Sequence, residues 1–220
     1  MNQNIYRFHY RGQLKKNLSK EVLDTALLLC KKNVEKLIQE NSLMTACLYY
    51  HNNMLFLYYE SIGKELTPTE FMEPIHEYLE LWPHKSELKP WALMYHIYYH
   101  AIPEGENDWK RPNKPELRRG RIALLKKDKL FSYVYHHVAI VEEGLLPGDK
   151  YQSIALHEDI LFSYFEEPKT ITNVKGDLTK ESQVINAWID VIPEDHFIPL
   201  EGSDGANFLF LPSYFAIGQD

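Results

Sequence analysis

Two side chains of this 220-residue chain, Tyr133 and His137, have the types and the spacing needed to move protons together. The surrounding segment, LFSYVYHHVAIVEEG (130–144), has the apolar spacing of a helix, and residues four apart lie on one helix face. Histidine titrates near neutral pH and therefore suits acid and base catalysis. The alternative is a packed, hydrogen-bonded pair without a chemical role.

A second set of polar side chains falls on two predicted strands. Alternation places Arg7 and His9 on one face of the first strand, and His96 and His100 on one face of a later strand. These four residues are predicted to converge on a patch that could bind phosphate or carboxylate. His96 and His100 lie about 13 Å apart along a strand, too far to share a metal ion, and no metal site is predicted. The alternative is a solvated strand face.

The elements that must position these residues follow the order βαββαβ. Alternating and β-prone runs predict strands, Ser19 offers a helix N-cap, and His51-Asn52-Asn53 forms a turn between two strands. The predicted elements are a strand at 5–11, a helix at 19–38, strands at 43–50 and 54–60, a helix at 67–81 and a strand at 91–102.

The same order recurs in the second half of the chain. Segment 51–60, HNNMLFLYYE, matches segment 157–166, HEDILFSYFE, with five of ten residues identical at a shift of 106 positions. The same shift carries Trp82 onto Trp188. The second copy is predicted to contain a strand at 119–126, a helix at 128–143, strands at 151–157 and 160–166, a helix at 180–190 and a strand at 206–212.

These repeats predict an α+β fold made of two fused ferredoxin-like βαββαβ units, at 1–102 and 117–220. The segment between them, 103–116, is rich in proline, glycine and charge, as linkers are. A ferredoxin-like sheet carries both helices on one face, so its other face also has to be covered. We expect the two sheets to pack against each other as a dimeric α/β barrel within one chain.

The second copy resembles the L-rhamnose mutarotase family, small dimeric α/β barrel enzymes that interconvert sugar anomers. The resemblance covers about 121–212 and rests on Tyr133-x-x-x-His137-x-x-Ile140-x-x-Glu143, the hairpin ending LFSYFEE, a helical Trp188 and the strand FLFLP (208–212). It implies that His137 and Tyr133 are catalytic. It also implies that Glu143 and Trp188 bind substrate, and Tyr164 is a further candidate for the cleft. The chain departs from the family at Ala187, which replaces a second tryptophan, and at 199–207, PLEGSDGAN.

Composition excludes several classes of function. The net charge is −7, with 24 basic and 31 acidic residues, which disfavours nucleic-acid binding. The two cysteines, Cys30 and Cys47, lack zinc-ligand spacing and are expected to be buried thiols in the cytoplasm. No segment approaches the roughly 18 apolar residues of a membrane span. The one basic cluster is predicted to flank a strand and consists of Arg118, Arg119, Arg121, Lys126 and Lys127.

The sequence is compatible with three functions. The first is an isomerase that interconverts anomers of a hexose or deoxyhexose without a cofactor. The second is a non-catalytic barrel that binds a small molecule, and the third is a haem-binding or cofactor-free monooxygenase-like barrel. The expected partner is a small molecule, which is a sugar if the first function holds. The chain is expected to be a monomer with an internal pseudo-dimer, or a homodimer.

Overall fold

The computed structural model of the protein describes residues 2–144, 148–169 and 182–219. It is an α+β structure whose strand pairs, in these ranges, are antiparallel. The chain forms two compact units. Unit 1 contains Met1–Met94, Pro103–Lys114 and Pro212–Asp220, and unit 2 contains Tyr95–Ile102 and Pro115–Leu211.

The strands are β1 (Ile5–Gln13), β2 (Leu43–His51), β3 (Met54–Ile62), β4 (Trp82–His84), β5 (Glu87–Lys89), β6 (Ala92–Tyr99), β7 (Leu117–Leu125), β8 (Ser153–His157), β9 (Ile160–Glu167), β10 (Phe197–Ile198), β11 (Leu209–Leu211) and β12 (Ser213–Gly218). The α-helices are α1 (Lys20–Gln39), α2 (Glu106–Trp109), α3 (Leu130–Glu143) and α4 (Gln183–Asp190).

Unit 1 places β1 and β2 on either side of β3, with β12 beside β2 and the first three residues of β6 beside β1. Helix α1 begins where the Ser19 hydroxyl accepts a hydrogen bond from the Val22 N–H, as the N-cap prediction requires. Cys30 and Val34 of α1 are fully buried against the apolar residues of this sheet. Burial of this face stabilises the helix on the sheet.

Unit 2 has the strand order β7–β9–β8, with residues 95–99 of β6 next to β8 and with β10 and β11 pairing β7. Helices α3 and α4 pack on this sheet. Ser182 caps α4 by accepting a hydrogen bond from the Ile185 N–H. The core between helices and sheet contains Ala123 and Leu125 of β7, so by alternation Arg121 has its side chain on the same face.

The two hairpins that carry the sequence repeat are alike in detail. The registers His51↔Met54 and His157↔Ile160 correspond, and in both the tyrosine hydroxyl donates to a glutamate two residues later. Both turns hold one residue in the left-handed region, with φ of 51° at Asn52 and 56° at Glu158. The organisation of the whole chain as two fused repeats stays a prediction.

The predicted helix at 67–81 is wrong. Pro68–Glu70 and Glu73–Tyr78 form two short 3₁₀ helices instead, and Trp82 lies on β4 whereas Trp188 is helical. Proline at 74 has no N–H to donate, and it disfavours helical geometry at the residue before it. The helix therefore cannot run through this segment, although its apolar residues Phe71, Met72, Ile75 and Leu79 are all buried.

Three boundaries also differ from those predicted. Much of the predicted linker, Pro103–Lys114, belongs to unit 1, where α2 carries the fully buried Trp109. The end of the chain forms β12, which pairs with β2 of unit 1. The predicted strand at 206–212 is shorter, as β11, and the first two residues of the predicted helix at 180–190 lie outside the described residues.

Candidate functional site

Unit 2 contains a cavity of about 440 Å³ between its sheet and helices α3 and α4. This volume suits a small organic molecule. Five aromatic side chains contribute to the lining, together with several polar groups, three isoleucines and one proline. The lining residues are Tyr98, His100, Arg121, Tyr133, His137, Gln152, Ile154, Lys169, Ile185, Trp188, Ile189, Pro193, Glu194, Phe197, Asn207 and Phe208.

The predicted catalytic pair, Tyr133 and His137, lines this cavity together with Trp188. Helical spacing of Tyr133, His137 and Ile140 puts all three on the buried face of α3. The Tyr133 and His137 rings are stacked, with centroids 3.8 Å apart, and the His137 ring meets Trp188 edge-on at 4.8 Å. Their assignment to catalysis and substrate binding stays a prediction.

Both members of this pair are neutral at pH 7, and burial favours the neutral form of each. It lowers the pKa of His137 to about 4, although the hydrogen bond to the Tyr133 carbonyl opposes the shift. Burial likewise raises the pKa of Tyr133, against the opposing charge of Arg121. Because Nδ1 of His137 donates to the Tyr133 carbonyl at 2.9 Å, its Nε2 is the unprotonated nitrogen. The cavity therefore receives a proton acceptor from His137 and a hydroxyl donor from Tyr133.

Two cationic side chains, Arg121 and Lys169, lie over the ring of Phe165. The guanidinium carbon is 5.1 Å from the ring centroid and the Lys169 Nζ is 4.9 Å from it. Arg121 also lies 4.4 Å from the centroid of Phe208. Burial lowers the pKa of Arg121 and, with the neighbouring Arg121 charge, lowers the pKa of Lys169 to about 8. Each cation therefore raises the cost of charging the other.

Arg121 differs from its neighbours in how its charge is compensated. Arg119 pairs with Glu167 at 2.9 Å, and Arg118 lies 3.7 Å from Glu166. Within the described part of the chain Arg121 has no carboxylate partner, and its Nε donates only to the Ser163 hydroxyl at 3.4 Å. The one acidic side chain among the described lining residues is Glu194. The cavity thus offers positive charge that an anion could satisfy.

Two predicted substrate-binding residues lie outside the cavity lining. Tyr164 is fully buried, and its hydroxyl donates to Glu166 at 2.7 Å. Strand alternation puts it on the face of β9 opposite to Phe165. Glu143, at the end of α3, accepts a hydrogen bond from Ser182, the N-cap of α4. Glu143 thereby links the two helices that cover the cavity.

The second predicted cluster is divided between the units. In unit 1, the Arg7 guanidinium lies 5.3 Å from the Trp109 ring and His9 contacts Tyr58 edge-on at 4.9 Å. In unit 2, His96 pairs with Ala155 across β6 and β8, and His100 follows the end of β6. A register shift between His96 and Tyr98 breaks the alternation from which a common face was predicted. His100 reaches the cavity, where it lies 3.2 Å from the Tyr98 hydroxyl.

Unit 1 holds a buried carboxylate, Glu60. Arg111 donates two hydrogen bonds to it, at 2.6 and 3.0 Å, and Trp109 and Tyr58 donate at 2.8 and 2.6 Å. Burial alone raises the pKa of Glu60, but Arg111 and the other donors outweigh it and hold the pKa below its usual value. A carboxylate with this many donors is a structural ion pair, because little of it is left to bind anything else.

A serine–histidine contact on α3 was not singled out from the sequence. The Ser132 hydroxyl lies 2.9 Å from Nε2 of the fully buried His196, and Nδ1 of His196 faces the Ile192 carbonyl at 3.3 Å. Neither Ser132 nor His196 contributes to the cavity lining. Their separation of 64 positions along the chain explains why sequence spacing could not reveal the pair.

Other features of the described residues do not form a comparable site. A groove of about 690 Å³ in unit 1, between α1 and Glu73–Tyr78, is shallower and lacks cationic side chains. Residues 2–144, 148–169 and 182–219 contain no group of three His, Cys, Asp or Glu side chains that could hold a metal ion. Among these same residues, none of the helices has the length and apolar character required to cross a membrane.

The chain matches no protein-family model and no curated protein, so the resemblance to L-rhamnose mutarotases gains no support. Solved structures with a similar chain trace include a provisionally named monooxygenase from Fusobacterium nucleatum subsp. nucleatum ATCC 25586. The match has 9% sequence identity and a TM-score of 0.42, and it covers 100% of this chain and 96% of that one. A provisionally named monooxygenase from Lactobacillus acidophilus NCFM has 7% identity and a TM-score of 0.45, covering 97% and 96%. An anthrone oxidase-like protein has 6% identity and a TM-score of 0.38, covering 97% and 96%. At these values of identity and TM-score, the comparisons assign neither a family nor an activity.

The fold and the site define an α+β protein with a basic, aromatic-lined cavity in unit 2.

Proposed function

We propose that unit 2 binds a small planar anion, an aromatic or conjugated carboxylate or phenolate, in the cavity beside α3 and α4. The observation that carries this proposal is a pair of cations, Arg121 and Lys169, which line the cavity and lie over the ring of Phe165. Among the described residues, no carboxylate pairs with Arg121. An anion there would offset the repulsion between the two cations.

The shape and chemistry of the lining favour a flat ligand. Tyr98, Tyr133, Trp188, Phe197 and Phe208 provide aromatic surface, and aromatic rings pack on such surface by stacking or edge-to-face contact. Charge-assisted hydrogen bonds from a guanidinium to a carboxylate are roughly twice as strong as neutral ones. Arg121 would therefore supply most of the preference for an anionic group, and the aromatic lining would supply affinity for the ring.

Sugar mutarotation is the second candidate, favoured by the presence of Tyr133, His137 and Trp188 in one cavity. Ring opening needs one group to remove a proton and another to donate one. Burial lowers the pKa of His137 to about 4, which makes its imidazole a weak base for removing that proton at pH 7. A neutral sugar would also leave the Arg121 charge uncompensated. For these reasons we rank mutarotation second.

Calorimetric titration with benzoate and with its uncharged analogue benzamide tests the anion proposal. We expect benzoate to bind the unaltered protein at least about 10-fold more tightly, the ratio that one charge-assisted hydrogen bond provides. Arg121→Gln should abolish this preference. Arg119→Gln is the matched control, since Arg119 lies on the same strand but pairs with Glu167. Equal affinity for the two compounds, or equal losses in both variants, would contradict the proposal.

The remaining hypotheses are tested with the same protein. NMR exchange between anomers of hexoses and deoxyhexoses, compared with His137→Ala, tests mutarotation, and acceleration lost in the variant would support it. The cofactor-free monooxygenase alternative requires a bound, ionised ring. Oxygen consumption with phenolic compounds tests that alternative, and absence of uptake with a compound shown to bind would leave a binding function alone.

A further inference from the structure

We propose that Lys169 is a covalent site, at which its amine condenses with the carbonyl of an aldehyde or ketone whose carboxylate is held by Arg121. The ligand class is then an oxo-carboxylate, such as an aromatic aldehyde acid or a 2-oxo acid with a planar substituent. This inference rests on the proposed binding of a planar anion in the same cavity and specifies the ligand further.

The placement of the two side chains defines the ligand. The Lys169 Nζ is 4.9 Å and the Arg121 guanidinium carbon 5.1 Å from the centroid of the one Phe165 ring, so the two groups are at most about 10 Å apart. Both line the cavity. A carboxylate and a carbonyl on one small molecule can therefore reach both residues at once, and Phe165 and Phe208 flank the guanidinium.

The surroundings of Lys169 favour an amine that reacts. Imine formation needs the unprotonated amine, and a lysine that is desolvated or placed beside another cation becomes a nucleophile near neutral pH. Burial, and then the Arg121 charge, lower the pKa of Lys169 to about 8, against the opposing charge of Asp149. By contrast, the Asp24 carboxylate raises the pKa of the exposed Lys20. Lys169 is thus distinguished from a surface lysine by geometry as well as by charge.

The condensation balances without any additional reactant. The Lys169 Nζ lone pair attacks the carbonyl carbon, the C=O π electrons move to oxygen, and transfer of a proton from nitrogen to that oxygen gives a carbinolamine. Protonation of the hydroxyl and loss of one water leave an iminium ion, loss of its N–H proton gives the imine, and water reverses the sequence. The neutral Tyr133 hydroxyl can donate a hydrogen bond to the carbonyl oxygen, and Nε2 of His137 can accept the proton from nitrogen.

Reductive trapping tests the inference. The full chain is incubated with 4-carboxybenzaldehyde and sodium cyanoborohydride, and the products are measured by intact mass and peptide mapping. We expect one adduct per chain, with the mass of the probe minus water plus two hydrogens, on Lys169. Lys169→Met should lose the adduct, and Lys127→Met, which alters an exposed lysine, should retain it.

Further variants separate the covalent step from binding and folding. Lys169→Arg keeps the positive charge but cannot form an imine, so it should bind benzoate and yield no adduct. Arg121→Gln should slow trapping of 4-carboxybenzaldehyde about 10-fold more than that of benzaldehyde, because only the first compound loses a carboxylate contact, whereas the rise in the pKa of Lys169 affects both. Benzoate binding without an adduct would overturn this inference and leave the binding proposal standing. Absence of both would overturn both, and labelling spread over surface lysines and unaffected by Lys169→Met would overturn the inference.

Discussion

At the scale of single residues, the cavity of unit 2 combines a histidine and an arginine whose pKa values are both lowered by burial, with different charges at pH 7 as the result. His137 loses its proton on burial, whereas Arg121 retains its charge because the ordinary pKa of a guanidinium lies far above neutral pH. An anion entering the cavity meets a fixed positive charge and a neutral imidazole. This combination suits recognition of a negative group, followed by acceptance of a proton.

Titration of His137 predicts how stability depends on pH. The pKa is about 4 in the folded chain and about 6.5 when unfolded, so between these values the unfolded chain binds more protons. The contribution of the neutral, buried His137 to stability is complete above pH 6.5 and is lost as pH falls toward 4. We expect this loss to lower the free energy of unfolding by about 2 kcal/mol between pH 7 and pH 5.

Urea unfolding of His137→Phe, which cannot titrate, measures this contribution. The variant should lose about 2 kcal/mol less than the unaltered protein on going from pH 7 to pH 5. His84→Phe, at an exposed position, should leave the difference between the two pH values unchanged. An identical loss in the unaltered protein and in His137→Phe would show that His137 does not titrate as its burial requires.

The sequence allowed some of the cavity residues to be found and not others. Helical spacing was enough to bring Tyr133 and His137 together, because neighbours on one helix are fixed by local geometry. Arg121 was seen only as part of a basic cluster, although alternation with Ala123 and Leu125 would have placed it on the core face. Lys169 lies beyond the end of β9, where no periodic pattern predicts the direction of its side chain.

At the scale of elements, the repeated hairpins offer a matched comparison. Asn52 and Glu158 occupy the same left-handed turn position, with φ of 51° and 56°. Left-handed geometry costs most residues roughly 1 kcal/mol, and asparagine adopts it more readily. Glu158→Asn should therefore stabilise the protein by about 0.5–1 kcal/mol, and Asn52→Glu should destabilise it by a similar amount.

Thermal unfolding measures both exchanges. For a chain of this length we expect a shift in Tm of roughly 1–4 °C, upward for Glu158→Asn and downward for Asn52→Glu. Shifts of the same sign would mean that side-chain contacts, such as that between Asn52 and His51 at 3.1 Å, outweigh the backbone preference. The equivalence of the two hairpins would then not predict how a substitution at this turn position changes stability.

Elements were predictable where the pattern was local and unbroken. Helix α1 and the two hairpins follow from an N-cap, periodic apolar residues and turn residues, all within a few positions of one another. The segment 67–81 has apolar residues at helical spacing, but Pro74 prevents a continuous helix while tertiary burial keeps those residues inside. The pairing of β12 with β2 was not predictable, because it joins residues about 170 positions apart.

At the scale of the whole molecule, each compact unit has its own apolar core, and the candidate site belongs entirely to unit 2. A ligand that binds only the folded state stabilises the region that it contacts, by roughly 2.7 kcal/mol at a concentration 100 times its Kd. Hydrogen exchange detects such an effect locally, since amides exchange when their own segment opens. Binding therefore makes a prediction that can be assigned to one unit.

Hydrogen–deuterium exchange measured by mass spectrometry, with and without saturating benzoate, should show slower exchange in β7, β9 and α4, which carry Arg121, Phe165 and Trp188. The β2–β3 hairpin of unit 1 serves as the internal reference, because none of its residues lines the cavity. We expect no difference there, and none anywhere in Arg121→Gln. Protection in the hairpin of unit 1 but not in unit 2 would place the anion site outside this cavity and would contradict the proposed function.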